Sequence, residues 1–484
     1  MTSSLRPPSE GPGYQPGSAA TASVLTQRHH RRNRFLFLAR VMAFVLAGYL
    51  LFDRAFAWIH VPGTPIFIGE VALATGLFVV VRSKEASRFI RLSPPMQVLI
   101  VFMALGAFLT VIGALSPENN PQEAVRDAAI WYYGLFAVVM GTLARAWEPA
   151  FDFFLEWYTK IIPVFLVVGV VRLVFANQQT GIFIPDSEVP ISSHKPGNLG
   201  VQAVILIAFL LLVVAPELEK RERTRNLIYT VAGLLLLALA GTQNRGVMVA
   251  GFIALIIVYV AGRAARPFMG SVLAVVIAAL ILAFSFNLRF DLQRRTVSVD
   301  QLFANILSID FTADSNGTNE DDGTIAWRLK LWELVMDDTF TQERFLSGFG
   351  FGPNLAGQYG FVAGAVDGPE LRNPHNSHLS VVARMGLAGT ALWIALWVFW
   401  YRHLWRARKR FKGVGEDQKA GFLDWCMVAI LAALINGVFD PSLEGPQAAV
   451  WVWSIFGLGA FVAVEGNVSG WRTGNNRIGS GKPA

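Results

Sequence analysis

The sequence predicts an all-α fold: a polytopic integral membrane protein of about twelve transmembrane helices, with one large extracytoplasmic loop between the ninth and the tenth. Three observations predict it. Of the 484 residues, 54% are hydrophobic and only 15% are charged, whereas soluble proteins carry about 25% charged residues. Apolar runs of about 20 residues, enough to cross roughly 30 Å of hydrocarbon, recur along the whole chain. The lysines and arginines fall in alternate connections, as membrane topology requires. This composition excludes an ordinary cytosolic enzyme, a disordered protein and a secreted disulfide scaffold. The single cysteine, Cys426, can form no internal disulfide and offers no thiol cluster for zinc or redox chemistry.

Residues 1–34 are rich in Pro, Gly and Ser and have no small-residue cleavage site behind an apolar core. They read as a disordered cytoplasmic tail and not as a signal peptide. Helices one to nine are expected within 35–286, at 35–52, 65–81, 96–115, 128–144, 161–176, 199–215, 227–241, 245–262 and 268–286. The extracytoplasmic loop covers 287–375. Helices ten to twelve are expected within 376–465, at 376–400, 424–440 and 447–465, and 466–484 forms a second cytoplasmic tail.

Orientation follows from the cations. With the N-terminus inside, 27 of the 41 lysines and arginines lie in inside segments and eleven in outside segments, seven of those in the one long loop. Every short connection then obeys the positive-inside rule, so both termini are expected to be cytoplasmic. The same spread disposes of nucleic acid as a partner, since no basic patch is interleaved with aromatics.

The long loop is not uniform. DSNGTNEDDGT (314–324) has a solvated, disordered composition and contains a sequon at Asn316. IAWRLKLWELVM (325–336) places Ile325, Leu329, Trp332 and Met336 at helical spacing, with Arg328 among the polar positions. That pattern fits an amphipathic helix at the membrane surface. A Gly-rich turn, GFGFGPN (348–354), follows, and the chain returns to the membrane at NPHNSHL (373–379). The glycines are no dinucleotide fingerprint, because no strand or βαβ unit surrounds them.

The residues able to do chemistry are few. Arg245 stands in GTQNRGVMVAG, where two spans meet with almost no connection; an arginine near hydrocarbon costs about 2.5–3.5 kcal/mol at mid-membrane and so tends to be functional, the bland alternative being a snorkelling anchor. Arg328 would serve equally as a plain polar-face residue. Arg40 and Arg172 pair with neighbours or snorkel. His375 follows Pro374 and opens the tenth span, where the helix dipole disfavours an imidazolium and leaves the neutral form that a general base needs. His378 lies one turn on, on roughly the same face. Each histidine has the alternative of an interfacial residue satisfied by water or backbone. The adjacent carboxylates Asp321–Asp322 and Asp337–Asp338 make no preformed cage, and no His/Cys cluster has zinc spacing, so no metal or other cofactor is expected.

HNSHLSVVARMGLAG (375–389) sets His375, Asn376, Gly386 and Gly389 in a recurring pattern. Upstream stand the Arg245–Gly246 pair opening a span, and Arg328 followed by Gly348 and Gly350 in the outer loop. Four motifs in this order resemble the O-antigen ligase and O-antigen polymerase superfamily, over about residues 35–465 and most specifically over 241–389. The resemblance implies a membrane glycosyltransferase, inverting and metal-independent. It would take its glycan from a polyprenyl-diphosphate-linked oligosaccharide in the bilayer and pass it to a glycan, lipid or protein acceptor on the outer face of the cytoplasmic membrane. It further implies that Arg245 and Arg328 hold the diphosphate and that His375 acts on the acceptor hydroxyl, while Asn376, Gly386 and Gly389 shape the helix mouth. His378 and Arg384 are carried as substrate-binding candidates. Arg384 departs from relatives with a polar or acidic residue near this point, and could pair with Glu444 or Asp440 or contact the lipid phosphate.

Ligase and polymerase share these motifs and are not separated by them. The rival from another class is a polytopic transporter or flippase of a polysaccharide precursor, since twelve spans with both termini inside is a common transporter layout. Against it stand the long outer loop and the lack of matching halves with interrupted helices. A non-catalytic assembly or sensor protein would leave Arg245 and His375 coincidental.

Overall fold

The computed structural model describes residues 18–147, 149–175, 182–185, 187, 189–218, 220–262, 266, 270, 290–292, 295–297, 320–341, 343–361 and 371–465. The described residues are helical almost throughout. In order come α1 (Ser18–Ala57), α2 (Ile68–Val81), α3 (Lys84–Leu92), α4 (Pro94–Leu115), α5 (Pro121–Asp127), α6 (Ala129–Tyr132), α7 (Leu135–Ala146), α8 (Ala150–Phe175), α9 (Pro196–Phe209), α10 (Lys220–Gln243) and α11 (Arg245–Ala261). A two-stranded antiparallel ribbon, β1 (Phe290–Leu292) with β2 (Arg295–Val297), precedes α12 (Glu320–Thr339), α13 (Ser377–Gly413), α14 (Asp417–Phe439) and α15 (Pro446–Glu465).

Among the described residues, eight helices are long and apolar enough to cross a membrane, and α5–α6 with α7 make a ninth span if the pair is counted as one across its 42° bend. Two apolar helices, α2 and α11, fall short of that length. At about 1.5 Å per residue a 14-residue helix such as α2 reaches only about 21 Å. The span expected at 268–286 lies outside the described residues, apart from 270. The helical backbone of α1 starts at Ser18, inside the segment expected to be disordered, because an Ala-rich run extends a helix that its apolar span has already nucleated.

Aromatic packing holds the centre. Nearly every residue of α15 from Ala448 to Val464 is buried. Trp397 stacks on Trp453 at 5.6 Å and Trp400 on Phe456 at 5.3 Å, while the Trp400 indole donates to the Phe456 carbonyl at 3.1 Å. Gly457 lets α15 lie directly against α7, where a Cβ would stand 2.3 Å from the Ala137 carbonyl oxygen. Close approach through small residues is the usual seam between helices in lipid. At one end of the bundle Arg145 pairs with Glu85 at 3.1 Å and with Glu465 at 2.7 Å, and Arg408 pairs with Asp424.

At the other end two helices break, and each break is satisfied by side chains or backbone from elsewhere. Helix α1 bends at Asp53, whose φ is 42°. Arg172 of α8 donates to the carbonyls left there, Leu51 at 2.8 Å and Phe52 at 3.0 Å, so this arginine is paired with backbone. Asp53 itself accepts from the Lys195 N–H at 2.6 Å and from Asn198 at 2.9 Å, which caps the start of α9.

Helix α13 breaks at Gly386, whose φ is 56°. The freed carbonyls of Ala383 and Arg384 accept from the N–H groups of Phe349 (2.7 Å) and Gly350 (3.1 Å), and the freed N–H groups of Leu387 and Ala388 donate to Phe345 (2.9 Å) and Leu346 (3.2 Å). The Gly-rich turn is thus stitched into the gap as a substitute for the helix's own bonds, as a broken helix in lipid requires.

Candidate functional site

The site gathers around the C-terminal end of α14. Gly197, in the first turn of α9, lies between the side chains of Asn244 and Asn436. Gly246, in the first turn of α11, packs on the Phe439 ring, where a Cβ would stand 2.8 Å away. Ser377, the first residue of α13, donates its hydroxyl to the Asp440 carbonyl at 3.2 Å. Three helix N-termini therefore meet at one point, and each carries a partial positive charge of about half an elementary unit. Asn244 and Asn376 cap two of them: Asn244 accepts from Val247 N–H at 3.2 Å, and Asn376 from the N–H groups of His378 and Leu379 at 3.0 Å.

Side-chain cations join those dipoles. Arg328, on α12, donates to the Phe439 carbonyl at 3.2 Å, while its buried Nε has no hydrogen-bond partner among the described residues. Burial pulls its affinity for the proton down, and the Asp440 carboxylate opposes that shift. Lys195 pairs with Asp440 at 3.3 Å. Arg245 is the first residue of α11, partly exposed, one position before the glycine that rests on Phe439. Arg328, Lys195 and Asp440 are thus drawn together at residues 439 and 440, and the backbone of Arg245 starts α11 beside them.

His375 completes the group. Its ring meets Trp327 edge-on at 5.9 Å, and its backbone takes the left-handed conformation with φ 54°. Burial lowers its pKa to about 4, the Arg328 charge adds to the shift, Lys195 adds further, and Asp440 opposes it. The imidazole is neutral at neutral pH and sits among cations.

Other candidates do different work. His378 has both ring nitrogens engaged inside the protein, Nε2 on the Leu434 carbonyl at 2.8 Å and Nδ1 accepting from Trp393 at 3.0 Å, so it has no nitrogen left for a substrate. Arg384 is 1% exposed and paired with Asp127 at 3.0 Å, not with Glu444 or Asp440, and it donates to the carbonyls of Gly350 and Pro353 at 3.3 Å. It braces the Gly-rich turn. Arg372 shares Asp127 at 2.8 Å and reaches Glu123 at 2.9 Å. Removing Asp127 strands a buried guanidinium, which costs about 3–5 kcal/mol. Asp127→Ala is therefore expected to lower the thermal unfolding midpoint in detergent sharply, while Glu123→Ala, on the more exposed rim, lowers it far less.

Gly386 forms the α13 break, and a Cβ on Gly389 would stand 2.1 Å from the Met385 Cβ, so both glycines shape this stretch of helix. The amphipathic helix is present, and Trp332 and Met336 of its expected face pack against the protein, but the buried face is rotated from the expected one. Leu331, Val335 and Thr339 are buried, and Leu331 and Val335 cluster with Leu355, Ala356, Leu379 and Ala383, whereas Leu329 is 50% exposed. A protein partner, the start of α13, selects the face and brings Arg328 inward. Helix α12 also begins at Glu320, within the stretch expected to be disordered. Asp338 turns to the Tyr359 hydroxyl at 2.6 Å, away from exposed Asp337.

Residues 230–394 match the family model described as O-antigen ligase (Wzy_C). Over that stretch the chain is similar to the O-antigen ligase superfamily. No curated protein matches the chain. The matched segment contains Arg245, Arg328 and His375, while Lys195 and Asp440 lie outside it. With the apolar helices, it supports a multi-pass membrane protein with a glycosyltransferase-type role in polysaccharide biosynthesis.

Proposed function

We propose that this chain transfers a glycan from a polyprenyl-diphosphate carrier to an acceptor hydroxyl at the outer face of the cytoplasmic membrane, in the synthesis of a cell-surface polysaccharide. The observation that carries the assignment is a neutral imidazole, His375, set beside Arg328 and Lys195 at a meeting of helix N-termini. A diphosphate brings at least two negative charges, and planar guanidinium groups bind its oxygens in bidentate fashion without losing their protons. As the glycosidic bond breaks, charge grows on the leaving diphosphate, where Arg245 and Arg328 stabilise it most. The acceptor hydroxyl attacks the anomeric carbon from the opposite face and passes its proton to His375. One displacement inverts the anomeric configuration.

The external placement is supported by charge. Arg402, Arg406, Arg408, Lys409, Arg410 and Lys412 crowd the end of α13 remote from His375, which the positive-inside rule puts in the cytoplasm. The arginines supply the charge a divalent cation would otherwise bring, so purified protein is expected to keep its activity in a chelator. Strict dependence on added magnesium or manganese would contradict this.

Deleting the gene tests the function and separates its two forms. Loss of long surface chains with single units still attached identifies a polymerase, and accumulation of unattached carrier-linked polymer identifies a ligase. Surface glycan and lipid-linked intermediates both unchanged would overturn the proposal.

A further inference from the structure

Next to His375 lies a chain of hydrogen bonds that the reaction above does not use. The peptide between Pro374 and His375 is gripped on both sides by side chains. Its carbonyl accepts from the Trp332 indole at 2.7 Å, and its N–H donates to Asn373 Oδ1 at 3.1 Å. The plane of this peptide sets φ of His375, which is held at 54°, in the left-handed region that a residue with a Cβ adopts only when its surroundings dictate it.

The grip depends on which way the Asn373 amide faces. An amide presents an oxygen on one side and two donors on the other, and only the oxygen can take the His375 N–H. On the far side, Asn373 Nδ2 donates to Glu444 Oε2 at 3.2 Å. Burial raises the Glu444 pKa to about 7; in its ionised form the carboxylate only accepts, so it admits the Asn373 amide in one orientation and rejects the flipped one, and in its protonated form it still offers Asn373 Nδ2 an accepting oxygen. The connector between α14 and α15 thus touches His375 twice over: Asp440 through charge, and Glu444 through Asn373.

We propose that Glu444 and Asn373 are positioning residues for the transfer reaction, acting in series to hold the His375 imidazole in its working pose. The inference rests on the function proposed above and adds two residues to it. Neither side chain needs to touch a substrate, and the signature is a loss of turnover without a matching loss of donor binding.

Carrier-linked glycan extracted from a deletion strain serves as donor, the acceptor-bearing membrane lipid and glycan fraction of the same strain is added with it, and release of the polyprenyl diphosphate is followed with purified protein in detergent. Glu444→Ala and Asn373→Ala are each expected to lower kcat about 10- to 100-fold while the donor KM stays within about twofold. Residues acting in series are non-additive, so the double variant is expected to be no slower than Asn373→Ala alone. Glu444→Gln, which can still turn an oxygen toward Asn373 Nδ2, is expected to recover most of the rate and thereby to separate positioning from general damage to the fold. A wild-type kcat in Glu444→Ala, additive losses in the double variant, or a loss carried by KM overturns the relay. If wild-type protein releases no carrier, or His375→Ala releases it as fast as wild type, the enzyme assignment itself falls. A failed relay with active wild-type protein leaves that assignment standing.

Discussion

His375→Ala is expected to lower glycan transfer by about 10²–10⁴-fold, the usual worth of a positioned general base, while the protein still inserts, folds and binds the carrier. The acid limb of the pH profile adds a second signature. The base must be neutral to accept a proton, and burial among cations holds the His375 pKa at about 4. The profile of kcat/KM, which reports the free enzyme, should therefore stay level below pH 6.5 and bend only near pH 4. Arg328→Ala removes one of the cations that depress the imidazole, so the limb should move up toward the ordinary histidine value even as the rate falls. A wild-type profile that bends near 6.5, or an Arg328→Ala limb that does not move, would contradict the placement of these two groups.

Gly386→Ala should produce a large loss of stability, comparable to that of Asp127→Ala. At φ 56° a residue with a Cβ is strained by about 1–2 kcal/mol. The new Cβ would also stand 2.6 Å from the backbone of Gly348 and Leu346, atoms that cannot rotate away. Overpacking adds about 1–3 kcal/mol, giving a total of about 2–5. The bonds at risk join Phe345, Leu346, Phe349 and Gly350 to α13 and fill the gap in that helix. Gly350→Ala is the control, since it shares a positive φ of 72° but its Cβ would meet nothing within 4 Å. Thermal unfolding in detergent should show a large drop for Gly386→Ala and a small one for Gly350→Ala. Equal drops would mean that the close approach of turn and helix contributes nothing.

Much of this was legible in the sequence, and the remainder was hidden for definite reasons. Apolar runs located eight spanning helices because hydrocarbon demands them whatever the tertiary contacts, but not their lengths, since α2 and α11 fall short of a crossing; Pro374 with Asn376 marked the start of α13. Arg245, Arg328 and His375 stood out because a charge beside hydrocarbon needs a cause. The buried face of α12 was read in part: Trp332 and Met336 pack against the cluster as their spacing implied, but Leu329 is exposed, and contact with the first turns of α13 selects Leu331 and Val335. Arg384 and His378 looked available because sequence cannot show that Asp127, Leu434 and Trp393 already occupy them. Lys195 and Asp440 went unselected because 245 positions separate them in the chain. A lone lysine in a short connection expected to be outside was the one signal that could have found that pair.

The central claim is that a lipid diphosphate is held between Arg245 and Arg328 with its sugar turned toward His375. A cryo-electron microscopy map of the protein incubated with carrier-linked glycan tests it most directly. The account predicts diphosphate density within hydrogen-bond distance of both guanidinium groups, at the end of the bundle where α9, α11 and α13 begin, with the first sugar between it and the imidazole. Diphosphate density at the opposite end, beside Arg145 or Arg408, would contradict it.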